Sequence, residues 1–316
     1  MSAPDEMPES ALAADLPSLR VGWWNTGLIA PGQRPSTKSK DGLKRWNLTK
    51  EIVNELLLQA DMLILGEIDG ETLFSLCPGR FNSLPGAGGI KSGLGVIFDP
   101  RRVEISHQTH TRFRKRGREL RILELTLKHV NVDVNIQILG VHFPSHLRED
   151  QEALRRLFAS DLSSEIQQRR QGDDDAHLVV IGDFNDEPFS DAMHGQLRGV
   201  RERRLVHGDP GRELLYNPFW RKLGEHRPTT RGAPSFSPAG THYYGKNARN
   251  GQCWYTYDQM LVTGAFLDEA GWSLNEEHTD IVCPESLFSQ TSLKYGVDHL
   301  PIIGRFSYLP EKGAPQ

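Results

Sequence analysis

Short apolar runs recur along this sequence, and each breaks off at a polar residue of a type that enzymes use for chemistry. Asn25 follows "VGWW", Glu67 follows "MLILG", His142 follows "IQILGV", and Asp183 and Asn185 follow "LVVIG"; Asp258 opens "YDQMLV" and Asp298-His299 precede "LPIIGRF". β-Branched runs of this length, closed by glycine, read as buried strands. Polar residues at every strand mouth are hard to explain as turn formers alone, and loops at a sheet edge are where active sites collect. The densest case is "VIGDFNDEP", residues 180 to 188. Adjacent carboxylates there repel one another unless a cation or a shared proton lies between them. The alternative is an Asp-rich turn whose side chains cap backbone amides, and a lone His142 is more often a satisfied core imidazole than a general acid.

Strands are expected at "LRVGWW", "DMLILGEI", "GLGVIFDP", Leu120 to Leu127, Val132 through Ile138 in "VDVNIQILGVHFPS", "HLVVI", "YDQMLVT" and "HLPIIGRF". Helices fit "RWNLTKEIVNELLLQA" and Arg148 to Gln171, where Leu154, Leu157, Phe158, Leu162 and Ile166 keep helical spacing. Strands outnumber the well-separated helices, which points to stacked sheets with helices outside, in one domain over residues 17–309. Residues 1–16, rich in Ala, Pro and acids, read as a disordered tail, and 310–316 as a C-terminal tail. With 316 residues, 37% of them apolar, the chain can bury a real core. A net charge of −4 excludes a wholesale polyanion binder but leaves room for local basic patches. No stretch approaches the about 18 apolar residues of a membrane helix, and the acidic start lacks a signal-peptide pattern. Cys77, Cys253 and Cys283 show no zinc spacing and read as reduced thiols. A cytoplasmic protein without an obligate protein partner is expected.

The ordered set Asn25, Gly66-Glu67, His142, Gly182-Asp183-Phe184-Asn185, Asp258-Gln259 and Asp298-His299 resembles the motif series of the endonuclease/exonuclease/phosphatase superfamily, deoxyribonuclease I-like, in its histidine branch. The match runs from Val21 to Phe306. The resemblance implies a four-layer α/β sandwich, two central mainly antiparallel sheets flanked by helices, with a divalent metal at one sheet edge. Two departures stand out. Val297 occupies the place of a usual serine, and His142 stands where abasic-site repair enzymes carry tyrosine, which disfavours that activity.

Hydrolysis of a phosphodiester needs a cation on the non-bridging oxygens, a base for water and an acid for the leaving oxygen. Glu67, Asp298, Asp183 and Asn185 are the candidate ligands, and their hard oxygens favour Mg²⁺, with Mn²⁺ as the substitute. By resemblance His299 is the base, oriented by Asp258, and His142 the acid. Asn25 and Asn185 supply neutral amides for a phosphate oxygen or the metal. Asp186 and Glu187 read as supporting groups. Two basic stretches, "TRFRKRGRELR" with Arg114, Lys115 and Arg116, and "RGVRERR", could track a nucleic-acid backbone; a solvated charged hairpin is the alternative, more so for the second than for the first. Tyr243 and its aromatic neighbours beside Lys246 and Arg249 suit stacking on unpaired bases, or a buried loop core. A nuclease is the leading expectation. A phosphatase or phosphodiesterase for a small or lipid-linked phosphate is the alternative, and an inactive binding protein of the same fold is the third reading.

Overall fold

The computed structural model describes residues 16–28, 40–86, 93–116, 118–145, 151–170, 176–209, 213–224, 238–245, 251–288 and 293–309. The expected N-terminal tail, save Leu16, and the C-terminal tail, together with Lys246 and Arg249, lie outside them. Among the described residues sixteen strands form: β1 (Ser18–Asn25), β2 (Met62–Ile68), β3 (Asn82–Pro85), β4 (Gly93–Phe98), β5 (Val103–Lys115), β6 (Arg118–His129), β7 (Ile136–His142), β8 (His177–Asp183), β9 (Gly199–Val200), β10 (Leu215–Tyr216), β11 (His242–Tyr243), β12 (Trp254–Tyr255), β13 (Asp258–Val262), β14 (Gly271–Leu274), β15 (Asp280–Ile281) and β16 (Ile302–Leu309). The main helices are α1 (Lys40–Gln59), α2 (Gly70–Leu76) and α3 (Gln151–Arg170).

Two seven-stranded sheets result. One runs β14-β16-β1-β2-β4-β3 with β15 on β16, the other β5-β6-β7-β8-β13-β10-β9, and β11 pairs with β12 apart from both. Pairing is antiparallel except at β1/β2, β7/β8 and β9/β10. The larger core lies between the sheets and under α1, whose Leu48, Ile52, Val53, Leu56 and Leu57 are buried. The other lies between the second sheet and α3, where Leu154, Phe158, Leu162 and Ile166 meet Leu139, Val141, Leu178 and Val180. Helices therefore flank two stacked sheets. Each fully buried Leu, Ile or Phe stabilises this arrangement by about 1.5–3 kcal/mol. No helix among the described residues is long and apolar enough to cross a membrane.

Several boundaries differ from the sequence expectation. Val132 and Val134 precede β7, because Val132 donates its amide to His129 in a turn. β5 escaped notice since its "VEISHQTHTRFRK" lies at a sheet edge and alternates between exposed and half-buried positions, with few apolar side chains to mark a face. The basic stretch from Arg112 to Arg121 is thus the end of a long β-hairpin. α1 begins at Lys40, ahead of the expected Arg45, in a turn whose Leu43 is exposed and so shows no apolar stripe.

Candidate active site

Strand parity explains why the catalytic-type residues converge. His142 lies four and six residues beyond Ile138 and Ile136 and so shares their face; Asp183 shares its face with Ile181 and Val179, and Asp258 with Met260 and Val262, all in the inter-sheet core. Register then aligns them, since His142 pairs with Asp183 and Asp183 with Asp258. From the facing sheet Asn25 ends β1 on the face of Trp23, paired with Gly66 of β2. The polar ends therefore face one another across the mouth of the cleft between the sheets.

Asp183 is the hub. Its carboxylate accepts from the Asn25 amide at 3.0 Å, from the Asn185 backbone N–H at 2.8 Å and from the Asn185 side chain at 3.2 Å. Its Oδ2 also lies 3.6 Å from His142 Nε2 and 3.7 Å from His299 Nε2. Burial alone would raise the Asp183 carboxyl, but the two imidazoles and these amides hold it below the usual carboxylate range. Asn25 also donates to Glu67 at 3.3 Å, and His142 Nε2 stands 3.8 Å from that carboxylate. Glu67 sits where β2 and β4 shift register, and both Glu67 and Asn185 have φ of 49°. Non-glycine residues held in the left-handed region cost free energy, and such positions cluster at functional sites. The Asn185 amide donates to the Phe143 carbonyl at 3.0 Å, which anchors the loop after β8 to the loop after β7.

A buried relay crosses the sheets. Trp23 Nε1 donates to Asp258 Oδ1 at 2.7 Å, and the other Asp258 oxygen meets His299 Nδ1 at 2.7 Å. This fixes the ring and leaves Nε2 directed at Asp183. Burial would lower the His299 value, but Asp258 and Asp183, with Asp298 further out, outweigh it and hold the imidazole well above 6.5. Asp298 stands apart from the hub. Its half-exposed carboxylate lies 3.8 Å from His242 Nε2.

The expected supporting roles of Asp186 and Glu187 agree with their contacts. Arg155 on α3 donates to Asp186 at 3.0 Å and to the Pro144 carbonyl at 3.3 Å. Glu187 accepts from the Thr256 amide at 3.2 Å, and burial, with Asp186 adding to it, pushes its carboxyl up to about 7. The Arg155–Asp186 pair is almost wholly buried. Arg155→Ala is expected to cost about 3–5 kcal/mol of unfolding free energy, because it strands a buried carboxylate; chemical denaturation checks this.

The hairpin places its basic residues at the same end. Ile122 pairs with Val141, so Arg121 stands level with His142, and the strands run on to the Lys115–Arg118 pair, about 10 Å further at about 3.3 Å per residue. Arg114 and Arg121 both bind Glu119, Lys115 binds Asp161 of α3, and Arg116 is exposed. In the second basic stretch Arg198 pairs with Glu213, Arg201 with Glu202 and Arg203 with Glu276, so its solvated, paired reading is the one the contacts favour. Among the aromatics, Tyr216 and Phe219 are fully buried and Trp254 nearly so, and Tyr243 packs on Trp254 at 4.9 Å, which makes them mainly a loop core.

Sequence reasoning missed Trp23, Arg155 and His242. Trp23 and Arg155 read as core-strand and helix residues, and only tertiary contacts reveal their partners. His242 lies in an irregular stretch where no period marks it.

No protein-family model matches this sequence, and comparison with curated proteins finds no significant relative. Solved structures do match. An endonuclease/exonuclease/phosphatase family protein from Bacteroides thetaiotaomicron is similar at 13% identity over 93% of this chain and 99% of its own, TM-score 0.60. A D. rerio TDP2 complexed with single strand DNA product is similar at 15% identity over 92% and 98%, TM-score 0.59. A mannosyl-6-phosphatase from Bacteroides thetaiotaomicron is similar at 13% identity over 91% and 99%, TM-score 0.58. Two stacked mixed sheets with flanking helices, matched over nine-tenths of the chain, give it the deoxyribonuclease I-like fold of the endonuclease/exonuclease/phosphatase superfamily.

Proposed function

We propose that residues 17–309 form the catalytic domain of a divalent-cation-dependent phosphodiester hydrolase that cleaves nucleic acid. The observation that carries this reading is the Trp23–Asp258–His299 relay ending on the same Asp183 oxygen that His142 approaches from its own strand. A base and an acid are thereby held on one carboxylate, each within 3.7 Å of it. His299, oriented by Asp258, takes a proton from water at Nε2. His142 gives a proton from Nε2 to the leaving oxygen. Asn25 holds Glu67 and Asp183 apart without adding charge.

The donor set fits a hard cation. Glu67 and Asp298 offer partly exposed carboxylates, and Asn185 spends its amide hydrogens on Asp183 and Phe143, which leaves its carbonyl oxygen for a ligand. Glu67, Asp298, Asp183 and Asn185 would hold Mg²⁺ or Mn²⁺. Bound there, the ion supplies Lewis-acid stabilisation of charge on the phosphoryl oxygens. Glu67→Gln is expected to weaken Mg²⁺ binding at least tenfold in calorimetric titration; unchanged affinity would remove Glu67 from the ligand set.

The nucleic-acid assignment is supported by the basic hairpin at the site end of the second sheet and by the single-stranded DNA product in the similar D. rerio TDP2 structure. Replacing Arg114, Lys115 and Arg116 by Ala is expected to raise KM for a long nucleic acid several-fold and flatten its salt dependence, leaving turnover of a short activated phosphodiester intact. An unchanged salt slope would favour the second reading, a phosphatase or phosphodiesterase for a small or lipid-linked phosphate. That reading draws on the ion pairs by which Glu119 and Asp161 already offset three of the hairpin cations, and on the likeness to a mannosyl-6-phosphatase. A panel of plasmid, single-stranded DNA, RNA, a sugar phosphate, a phosphoinositide and sphingomyelin separates the two: cleavage of the nucleic acids supports the proposal, and turnover confined to the small or lipid-linked esters overturns it.

A further inference from the structure

We propose that His242, Asp298 and His299 form a second cation position, selective for an imidazole-preferring ion such as Zn²⁺ or Co²⁺, which shares Asp298 with the hard-oxygen set around Glu67 but takes two imidazoles that set lacks. The inference rests on the geometry of these three side chains, two of which, Asp298 and His299, the proposed reaction also uses. One ligand atom from each lies within 4.8 Å of the others. The backbone sets this up. His242 forms an antiparallel bridge with His299, the Tyr243 amide donates to the Asp298 carbonyl at 2.8 Å, and the Leu300 amide donates to the Thr241 carbonyl at 2.6 Å. Residues 241–243 are therefore bridged to 298–300, which holds the backbones of the two histidines side by side.

Each ring is held. His242 is 8% exposed, stacks on Tyr257 at 5.2 Å and meets the His299 ring edge-on at 4.5 Å. His299 contacts Asp258 through Nδ1, the arrangement in which a carboxylate fixes the tautomer and orientation of a metal-ligating histidine, with Nε2 as the ligand atom. Two imidazoles and one carboxylate suit Zn²⁺ or Co²⁺ better than Mg²⁺. Charge points the same way, since Asp183, Asp258 and Asp298 surround His299 and a bound cation would offset them. Asp298 is half exposed, which leaves the position open to solvent. A cation there would use the Nε2 that the proposed base needs, so occupancy and hydrolysis compete.

The test is titration of the metal-free full chain with Co²⁺ alone, followed by calorimetry and by the visible bands that report imidazole ligation. Wild type and Glu67→Gln should both bind an equivalent with these bands. His242→Phe, which keeps a ring against Tyr257, should weaken that equivalent at least tenfold and lose the bands. If His242→Phe melts well below wild type, Asp298→Asn, altered at a half-exposed side chain, should show the same weakening. Binding equal to wild type in a folded His242→Phe or Asp298→Asn chain overturns the proposal, as does a wild type without imidazole bands. Because binding is read directly, failure of the hydrolase assignment in the substrate panel would leave this result standing, and the reverse.

Discussion

His299→Ala is expected to lower kcat by roughly two to four orders of magnitude, the range for loss of a general base, while the chain stays folded. The pH dependence carries the assignment further. A base must be unprotonated to act, and the carboxylates of Asp258 and Asp183 hold the His299 imidazole well above 6.5. The acid limb of the kcat/KM profile should therefore lie on the alkaline side of that value, with activity rising as His299 loses its proton. Raising the Mg²⁺ concentration should draw the limb to lower pH, because a nearby positive charge disfavours the imidazolium. Stability runs the other way. A raised folded-state value means that the contribution of protonated His299 is full below about 6.5 and is lost as pH rises through the folded value. In EDTA, denaturation midpoints of wild type should fall with rising pH above that point, and His299→Ala should flatten this dependence. An acid limb below 6.5 in wild type, or one that survives in His299→Ala, would assign the base elsewhere.

The second large effect separates the two histidines. His142→Ala should lower kcat on a natural phosphodiester by roughly two to four orders of magnitude, since its alkoxide leaves poorly without a proton. On a nitrophenyl phosphodiester, whose leaving oxygen is already acidic, most of that loss should disappear. His299→Ala should gain nothing comparable from the same change of substrate, because water still has to be deprotonated. Equal losses on both substrates in both variants would refute the division of labour. Wild-type rates in both would return the histidines to a structural role.

What the sequence made legible, and what it hid, follows from how each residue is positioned. Apolar runs with a closing glycine or polar residue mark β1, β2, β4, β7, β8 and β13, because a strand buried in the inter-sheet core leaves few polar positions. The site residues were legible for the same reason, as the polar residues that interrupt those runs at one end. Their pairwise assembly was not. The contact between Asp298 and His242 at 3.8 Å, made through the β11 bridge to His299, has no signal in the sequence. A bridge of this kind joins residues 57 apart in the chain without any periodic signal, as the numbering of His242 and His299 shows. Arg155 gives the complementary lesson. It occupies a buried position on α3, where the helical spacing of apolar neighbours hides a guanidinium whose partner, Asp186, comes from the loop after β8. Edge strand β5 is hidden by its polarity, so the sequence does not show that the basic stretch ends a strand that begins at Val103.

The most direct measurement is cleavage of an end-labelled single-stranded oligonucleotide by the full chain in Mg²⁺, then with excess EDTA, then with Mg²⁺ restored. The account predicts hydrolysis that is lost on chelation, regained with the metal and lowered at least a hundredfold in His299→Ala under saturating Mg²⁺. Undiminished cleavage in EDTA, or wild-type cleavage by His299→Ala, would contradict it.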